Sequence, residues 1–343
     1  MGKLICDSTA LQPSLTQPVH LLDNPHHLEP ADPVDIAAAG ATWDDVIGLE
    51  DQQRRFLQRL QTKGVLWKKA GGELPEDGEA PAEEATVFRL QHGGEVSSDG
   101  NCLFTASQRA VGARGGDARE LRRRTVARFE EDYGSAPEKE REVIDGAIRH
   151  MYAPDLGSGW GVHVVQEVKL LALKDDRSSL DSAIDELVLL GMQREMAAES
   201  IYKERCMLVD DGRSWAKYMA ISGSPDDEYD IITLQYTEEG LLSVDENRLG
   251  HAAAFGDDIA IECLATEFKR EIYVVQAHGA DAMVDEDNCV FFLPHRPRSE
   301  ICEPPFFLFM KGTGWCGAGA DHYEPLIAIP SALISHEKVA VVL

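Results

Sequence analysis

The order of patterns in the second half of the chain is its strongest constraint. A capped helical stretch at residues 257–268 is followed by four short strand-like runs at 271–276, 289–293, 306–310 and 322–329. Asp257 stands at the cap position, and Ile259, Ala260, Cys263, Leu264 and Phe268 recur on one side of the helix. The connections between the runs are turn-rich, which predicts a mainly antiparallel sheet. Helical patterns dominate everything before this point. Helices first and a sheet afterwards define the α+β class, with helices packed on the sheet.

Residues 1–41 are rich in Pro, Asp, His and Ala without a sustained period and read as a flexible tail. The opening Met1-Gly2-Lys3-Leu4-Ile5-Cys6 departs from an acylation signal because its sixth residue is neither Ser nor Thr. Across 42–70, Trp43, Val46, Leu49, Phe56, Leu57, Leu60 and Val65 recur at helix-like spacing, with Asp44 and Asp45 in the first turn, where negative charge suits the dipole. The Gly/Pro/Glu stretch at 71–86 reads as an acidic linker and the main domain boundary. A larger domain then covers 87–330, and 331–343 forms a C-terminal tail.

Within that domain, 87–90 is a strand candidate, 97–101 a loop, and Cys102 opens an apolar helix carrying Leu103, Phe104, Ala106 and Ala110. Asp117 and Glu120 form the pattern of a capping box for a second helix that runs to Tyr133 and stops at Gly134. Leu121, Val126 and Phe129 point to its core. Its Arg119, Arg122, Arg123, Arg124 and Arg128 read as a solvated basic face. A third helix begins near Pro137. Residues 152–214 read as a helical insertion, with two short amphipathic helices on either side of Gly191-Met192.

Charge narrows the partners. Of 343 residues, 33 are Lys or Arg and 60 are Asp or Glu, a formal net charge of −27. Such a chain has no general electrostatic attraction to nucleic acid or anionic lipid, and its partners should carry basic patches. No apolar run approaches the ~20 residues of a membrane helix, and no signal-peptide core is recognisable, which predicts a cytosolic or nuclear protein. Oligomeric state is left open. The seven cysteines are widely spaced and form no CxxC pair, so neither a disulfide framework nor a zinc finger is expected. Cys289, Cys302, Cys316 and His295 are the alternative metal set, but their spacing fits no tetrahedral pattern. No cofactor or metal is expected.

The sharpest motif is Asp99-Gly100-Asn101-Cys102-Leu103-Phe104. Gly100 permits a tight, left-handed turn. Cys102 then falls at the mouth of a helix, where free N–H groups and the dipole favour a thiolate and can hold an oxyanion. A thiolate nucleophile needs a base. Among eleven histidines His322 stands out, since it follows the glycine-rich stretch Gly312, Gly314, Gly317, Gly319 and opens a strand. His20, His26 and His27 lie in the tail, and His163, His251, His278 and His295 fall in segments read as loops. His92, just before the cysteine loop, has no base-like context.

The D-G-N-C-L-F motif, followed far downstream by His322-Tyr323-Glu324-Pro325-Leu326, resembles the ovarian-tumour (OTU) family of cysteine proteases, which are deubiquitinases. The intervening Gly256–Ala265 helix pattern and the strand at 270–275 resemble that family's central helix and next strand, so the resemblance spans residues 87–330. It implies an OTU-like fold, a mostly antiparallel sheet between helical layers. It also implies Cys102 as nucleophile, His322 as general base, and Asp99 as the acid that shapes the loop and is grouped with the pair. Gly100 and Asn101 would serve the loop and its amide-lined hole. Many members carry Asp or Asn two residues after the histidine, where this chain has Glu324, so Glu324 as third triad member stays open against an exposed strand residue. The implied substrate is ubiquitin or polyubiquitin, whose apolar contact patch is rimmed by basic side chains. The alternative is a ubiquitin-binding adaptor with an inactive OTU fold. Leu190-Gly191-Met192 between its two helices resembles a ubiquitin-associated helix pair, although the motif order differs and a third helix is missing.

Overall fold

The computed structural model describes residues 42–68, 85–112, 116–155, 163–247, 253–277, 290–311, 322–331 and 341–342. In chain order its elements are α1 (Asp51–Lys63), β1 (Val65–Lys68), β2 (Ala85–His92), α2 (Cys102–Ala110), α3 (Ala118–Ser135), α4 (Glu138–Tyr152) and β3 (Gln166–Leu173). There follow α5 (Arg177–Leu189), α6 (Arg194–Arg205), β4 (Met207–Leu208), α7 (Gly212–Ala220), β5 (Tyr229–Thr237), β6 (Gly240–Glu246) and α8 (Asp258–Phe268). The chain closes with β7 (Ile272–Ala277), β8 (Val290–His295), β9 (Phe306–Lys311), β10 (His322–Ser331) and β11 (Val341–Val342). Among the described residues no helix is long and apolar enough to cross a membrane.

Two sheets organise these elements in an α+β arrangement. The first has the order β11-β1-β2-β10-β9-β7-β8, and all its neighbouring pairs are antiparallel except β11 with β1 and β7 with β9. Strand alternation sends Phe306, Leu308 and Tyr323 to one face, against α2, α3, α4, α7 and α8. Phe307, Phe309 and Leu326 point to the other face, where Trp43, Leu57 and Leu60 cover them. The helix caps anchor this packing. The Asp257 side chain accepts the Ala260 N–H at 2.9 Å, and its other oxygen takes the Trp215 indole N–H at 2.8 Å and the Tyr152 hydroxyl. Asp117 caps α3 through the Arg119 N–H at 2.9 Å rather than through a reciprocal box with Glu120, which pairs with Arg123.

Four sequence readings need correction. The boundary at 71–86 does not divide the chain into separate bodies: β1 pairs with β2 in register, and Trp43 is buried against Phe309 with ring centroids 5.4 Å apart. The short apolar run Val65, Leu66, Trp67 is a strand, too brief for any period to reveal. The stretch at 152–214 is not purely helical either. It contributes β3 and β4 to a second, antiparallel sheet of order β4-β3-β5-β6. The β5–β6 hairpin was legible, since Glu238-Glu239-Gly240 makes a turn between a run rich in β-branched residues and a second run holding Leu241, Leu242 and Val244. Finally, Arg122 leaves the solvated stripe altogether: it is fully buried, while Arg119, Arg123 and Arg124 stay exposed. The tail at 1–41, most of the linker and the glycine-rich stretch at 312–319 lie outside the described residues, as do Cys6, Cys289 and Cys316.

Trp43 ties the N-terminal segment to the sheet, so Trp43→Ala should lower the unfolding free energy by about 3–5 kcal/mol, the usual range for a buried tryptophan. Urea unfolding of the full chain measures it. A change below about 1 kcal/mol would mean that the segment packs independently of the sheet.

Candidate active site

The loop before α2 is built by three local devices. Asp99 Oδ1 accepts the Asn101 N–H at 2.9 Å, closing an Asx turn. Gly100 sits at φ +78°, and a Cβ there would lie 2.3 Å from the Ala253 Cβ, so the turn admits no side chain. Asn101 then precedes the helix with both ends of its amide engaged: Nδ2 donates to the Ser222 carbonyl at 3.3 Å, and Oδ1 accepts from Arg122 Nε at 2.9 Å.

Arg122 is the residue that sequence reasoning placed on the wrong side of its helix. Its guanidinium also donates to the carbonyls of Gly100 at 2.7 Å, Ala254 at 2.8 Å and Met219 at 2.9 Å, and lies 4.5 Å from the Phe104 ring centroid. One planar fork therefore gathers the cysteine loop, the end of α7 and the segment entering α8. Burial brings its pKa down to about 10, which leaves it charged at neutral pH.

Cys102 opens α2 as expected, with its side chain buried at 3% exposure in the main core. Burial pushes the thiol pKa up, contrary to the expectation of a thiolate favoured by the helix mouth alone. The main-chain N–H groups of Tyr323 and Leu103 and the charge of Arg122 pull it down, and Asp99 pushes it up. Burial also raises Cys206, to about 11, and Cys263 further. Among these three thiols only Cys102 has main-chain N–H donors among the causes that lower it.

The far strand arrives beside this loop. Tyr323 in β10 places its backbone against the Cys102 sulfur and its hydroxyl on the Gly256 carbonyl at 3.1 Å. The preceding residue, His322, brings Nδ1 within 3.5 Å of the Ser98 hydroxyl, four residues before Cys102. No hydrogen bond joins His322 to Cys102 among the described residues. His322 and Glu324 share the opposite strand face from Tyr323, and His322 Nε2 lies 3.9 Å from Glu324 Oε1. Among the described residues no hydrogen bond or ion pair joins Asp99 to His322, and Asp99 Oδ1 closes the turn.

Glu324 is no exposed strand residue. It is 1% exposed and bonded through Oε2 to His92 Nε2 at 2.6 Å, with Lys311 Nζ 3.8 Å from its other oxygen. Burial alone would raise this carboxyl, but His92, Lys311 and His322 together hold it below the usual range. The carboxylate can only accept, so the proton of this bond resides on His92 Nε2. His92 Nδ1 is buried without a partner, and the ring lies 5.3 Å from Trp43. Sequence reasoning passed over both Ser98 and His92. The alternation of β2 with its partners was the only available signal, and it says nothing about what faces His92.

Among the described residues no group of three or more His, Cys, Asp or Glu side chains is placed to hold a metal ion. No protein-family model, curated protein or solved structure matches the chain significantly.

Since the Glu324 pKa is depressed in the fold, its contribution to stability is present above the ordinary glutamate range and is lost as pH falls through the folded value. In His92→Phe, ring packing against Trp43 is kept while the principal hydrogen bond is removed. Acid destabilisation should then begin at higher pH than in the parent protein. Urea midpoints between about pH 3.5 and 7 test this, and superimposable pH profiles would count against the pairing.

Proposed function

We propose that the protein is a thiol-dependent hydrolase of the deubiquitinase type, cleaving isopeptide or peptide bonds after the C-terminus of ubiquitin. The observation that supports this reading most is the meeting of two distant segments. The sulfur at the mouth of α2 lies against the backbone of β10, one residue from His322, with a buried, ionised Glu324 two positions beyond it.

In the proposed cycle His322 removes the Cys102 proton, and the sulfur attacks the carbonyl carbon that ends ubiquitin. The negative charge passes to the carbonyl oxygen, which the amide of Cys102 at the first helical turn would receive. The Asn101 amide is already taken by Asp99 and is not available for this. Collapse of the intermediate breaks the carbon–nitrogen bond, and His322 passes its proton to the departing amine. Water, deprotonated by the same imidazole, then attacks the thioester, releasing the carboxylate and restoring the thiol. Glu324 would stabilise the imidazolium formed in each half, and His92 and Lys311 hold that carboxylate ionised while it does so. The acidic surface favours encounter with a basic-rimmed partner and loses that advantage as salt rises.

A buried thiol with a raised pKa and no bond to His322 favours a second reading, a ubiquitin-binding adaptor whose site does not turn over. A ubiquitin derivative with a C-terminal electrophile separates the two. The hydrolase is labelled at Cys102, Cys102→Ala is not, and His322→Ala is labelled about 10²–10⁴-fold more slowly. An adaptor binds the probe and is never labelled.

The raised thiol makes a second prediction for the free protein. Iodoacetamide modification of Cys102, followed by peptide mapping, should keep accelerating beyond about pH 9.5, where an ordinary cysteine of pKa about 8.5 levels off. A plateau below about pH 7 would mean that the thiolate is already formed and that burial does not control the site.

A further inference from the structure

The α5–α6 hairpin carries an apolar surface that the proposed reaction does not use. The inward positions of the hairpin are satisfied: Leu180, Ile184, Ala197, Ala198, Ile201 and Tyr202 pack on Val168, Leu170, Ile232 and Leu234 of the second sheet. Its tip is a different matter. Leu189 is 87% exposed and Leu190 85% exposed, with Met192 and Met196 half exposed beside them. The tip is rigidly made. Gly191, at φ +98°, ends α5 in a Schellman turn, its N–H reaching the Val188 carbonyl at 2.9 Å and the Met192 N–H reaching the Leu187 carbonyl at 3.1 Å. Leucines presented in this way are displayed, not left over from a core.

Charge around the tip selects among occupants. At the tip Arg194 is paired with Asp185 at 2.9 Å, whereas exposed Glu186 and Glu195 have no ion-pair partner among the described residues. An apolar centre with a surplus of carboxylates at its rim suits a protein whose own apolar patch is ringed by lysine and arginine. A second copy of this chain, at −27, would meet like charge, and an anionic lipid surface would be repelled. The position of the tip separates it from the reaction. Residues 168, 170, 232 and 234 face the hairpin, while Leu171 and Ile231 face the core that holds Cys102, so the second sheet stands between them.

We propose that the hairpin tip is a docking surface for ubiquitin, engaging a unit other than the one whose bond is cut. This rests on the deubiquitinase reading for the identity of the occupant, though not for the existence of the surface. It also differs from a ubiquitin-associated domain, since only two helices are present and a sheet takes the place of the third.

The test pairs two measurements on the full chain carrying Leu189→Asp and Leu190→Asp. One is labelling of Cys102 by the monoubiquitin electrophile. The other is the affinity of diubiquitin for the same variant in a Cys102→Ala background. Both leucines are exposed, so the thermal midpoint should not move, and that measurement excludes unfolding. The expected result is unchanged labelling with diubiquitin affinity reduced at least about tenfold. Unchanged labelling with unchanged affinity overturns the docking surface and leaves the hydrolase reading standing. Absent labelling in the parent protein, with binding lost in the variant, overturns the hydrolase reading and supports the surface. Labelling and binding reduced together overturn the separation of the tip from the reacting site. No binding of diubiquitin to the parent Cys102→Ala protein overturns the proposal outright.

Discussion

A single guanidinium holds the cysteine loop in place. Arg122 reaches two acceptors in the 99–102 turn, one at the end of α7 and one in the segment that precedes α8, and it does so from the interior. Three stretches far apart in the chain are thereby fixed to one another by hydrogen bonds from a charged group, each contributing about 1.5–3 kcal/mol where burial protects it. The position of Cys102 follows from this. The turn is closed by Asp99 and made possible by Gly100, but its orientation toward β10 depends on the arginine beneath it.

The state of the sulfur results from competition. The first turn of α2 and the Tyr323 amide favour negative charge at Cys102, and the surrounding core disfavours it more strongly. On the far side of the same strand the balance runs the other way. Glu324 is equally buried, yet a 2.6 Å bond from His92 and the nearby Lys311 keep it ionised. One strand therefore carries a neutral thiol against one face and a charged carboxylate on the other, with His322 at its start. Proton transfer in the proposed cycle moves charge toward the end of the strand where compensation is already built.

Much of this was legible from local pattern. The cap at Asp257, the start of α2 at Cys102, the end strands and the antiparallel preference all rest on short-range periodicity and turn chemistry, which the chain expresses residue by residue. The pairing of Cys102 with the strand opened by His322 was expected from the resemblance, and the two segments are adjacent. The second sheet was missed because β3 and β4 lie among helical patterns, although the β5–β6 hairpin carried a readable turn.

By itself, then, the sequence determined which segments are helices or strands near the cysteine, and which side chains could act there chemically. Only the tertiary structure decided which of them are buried together. Arg122 is indistinguishable from its neighbours Arg123 and Arg124 until helix packing rotates it inward. His92 acquires a partner only when the register of β2 against β10 brings a glutamate 232 residues away into contact. Burial and register are properties of how elements pack, and both change the charge a side chain carries. That is why the chemistry of Cys102 and Glu324 could be listed from the sequence while their ionisation could not.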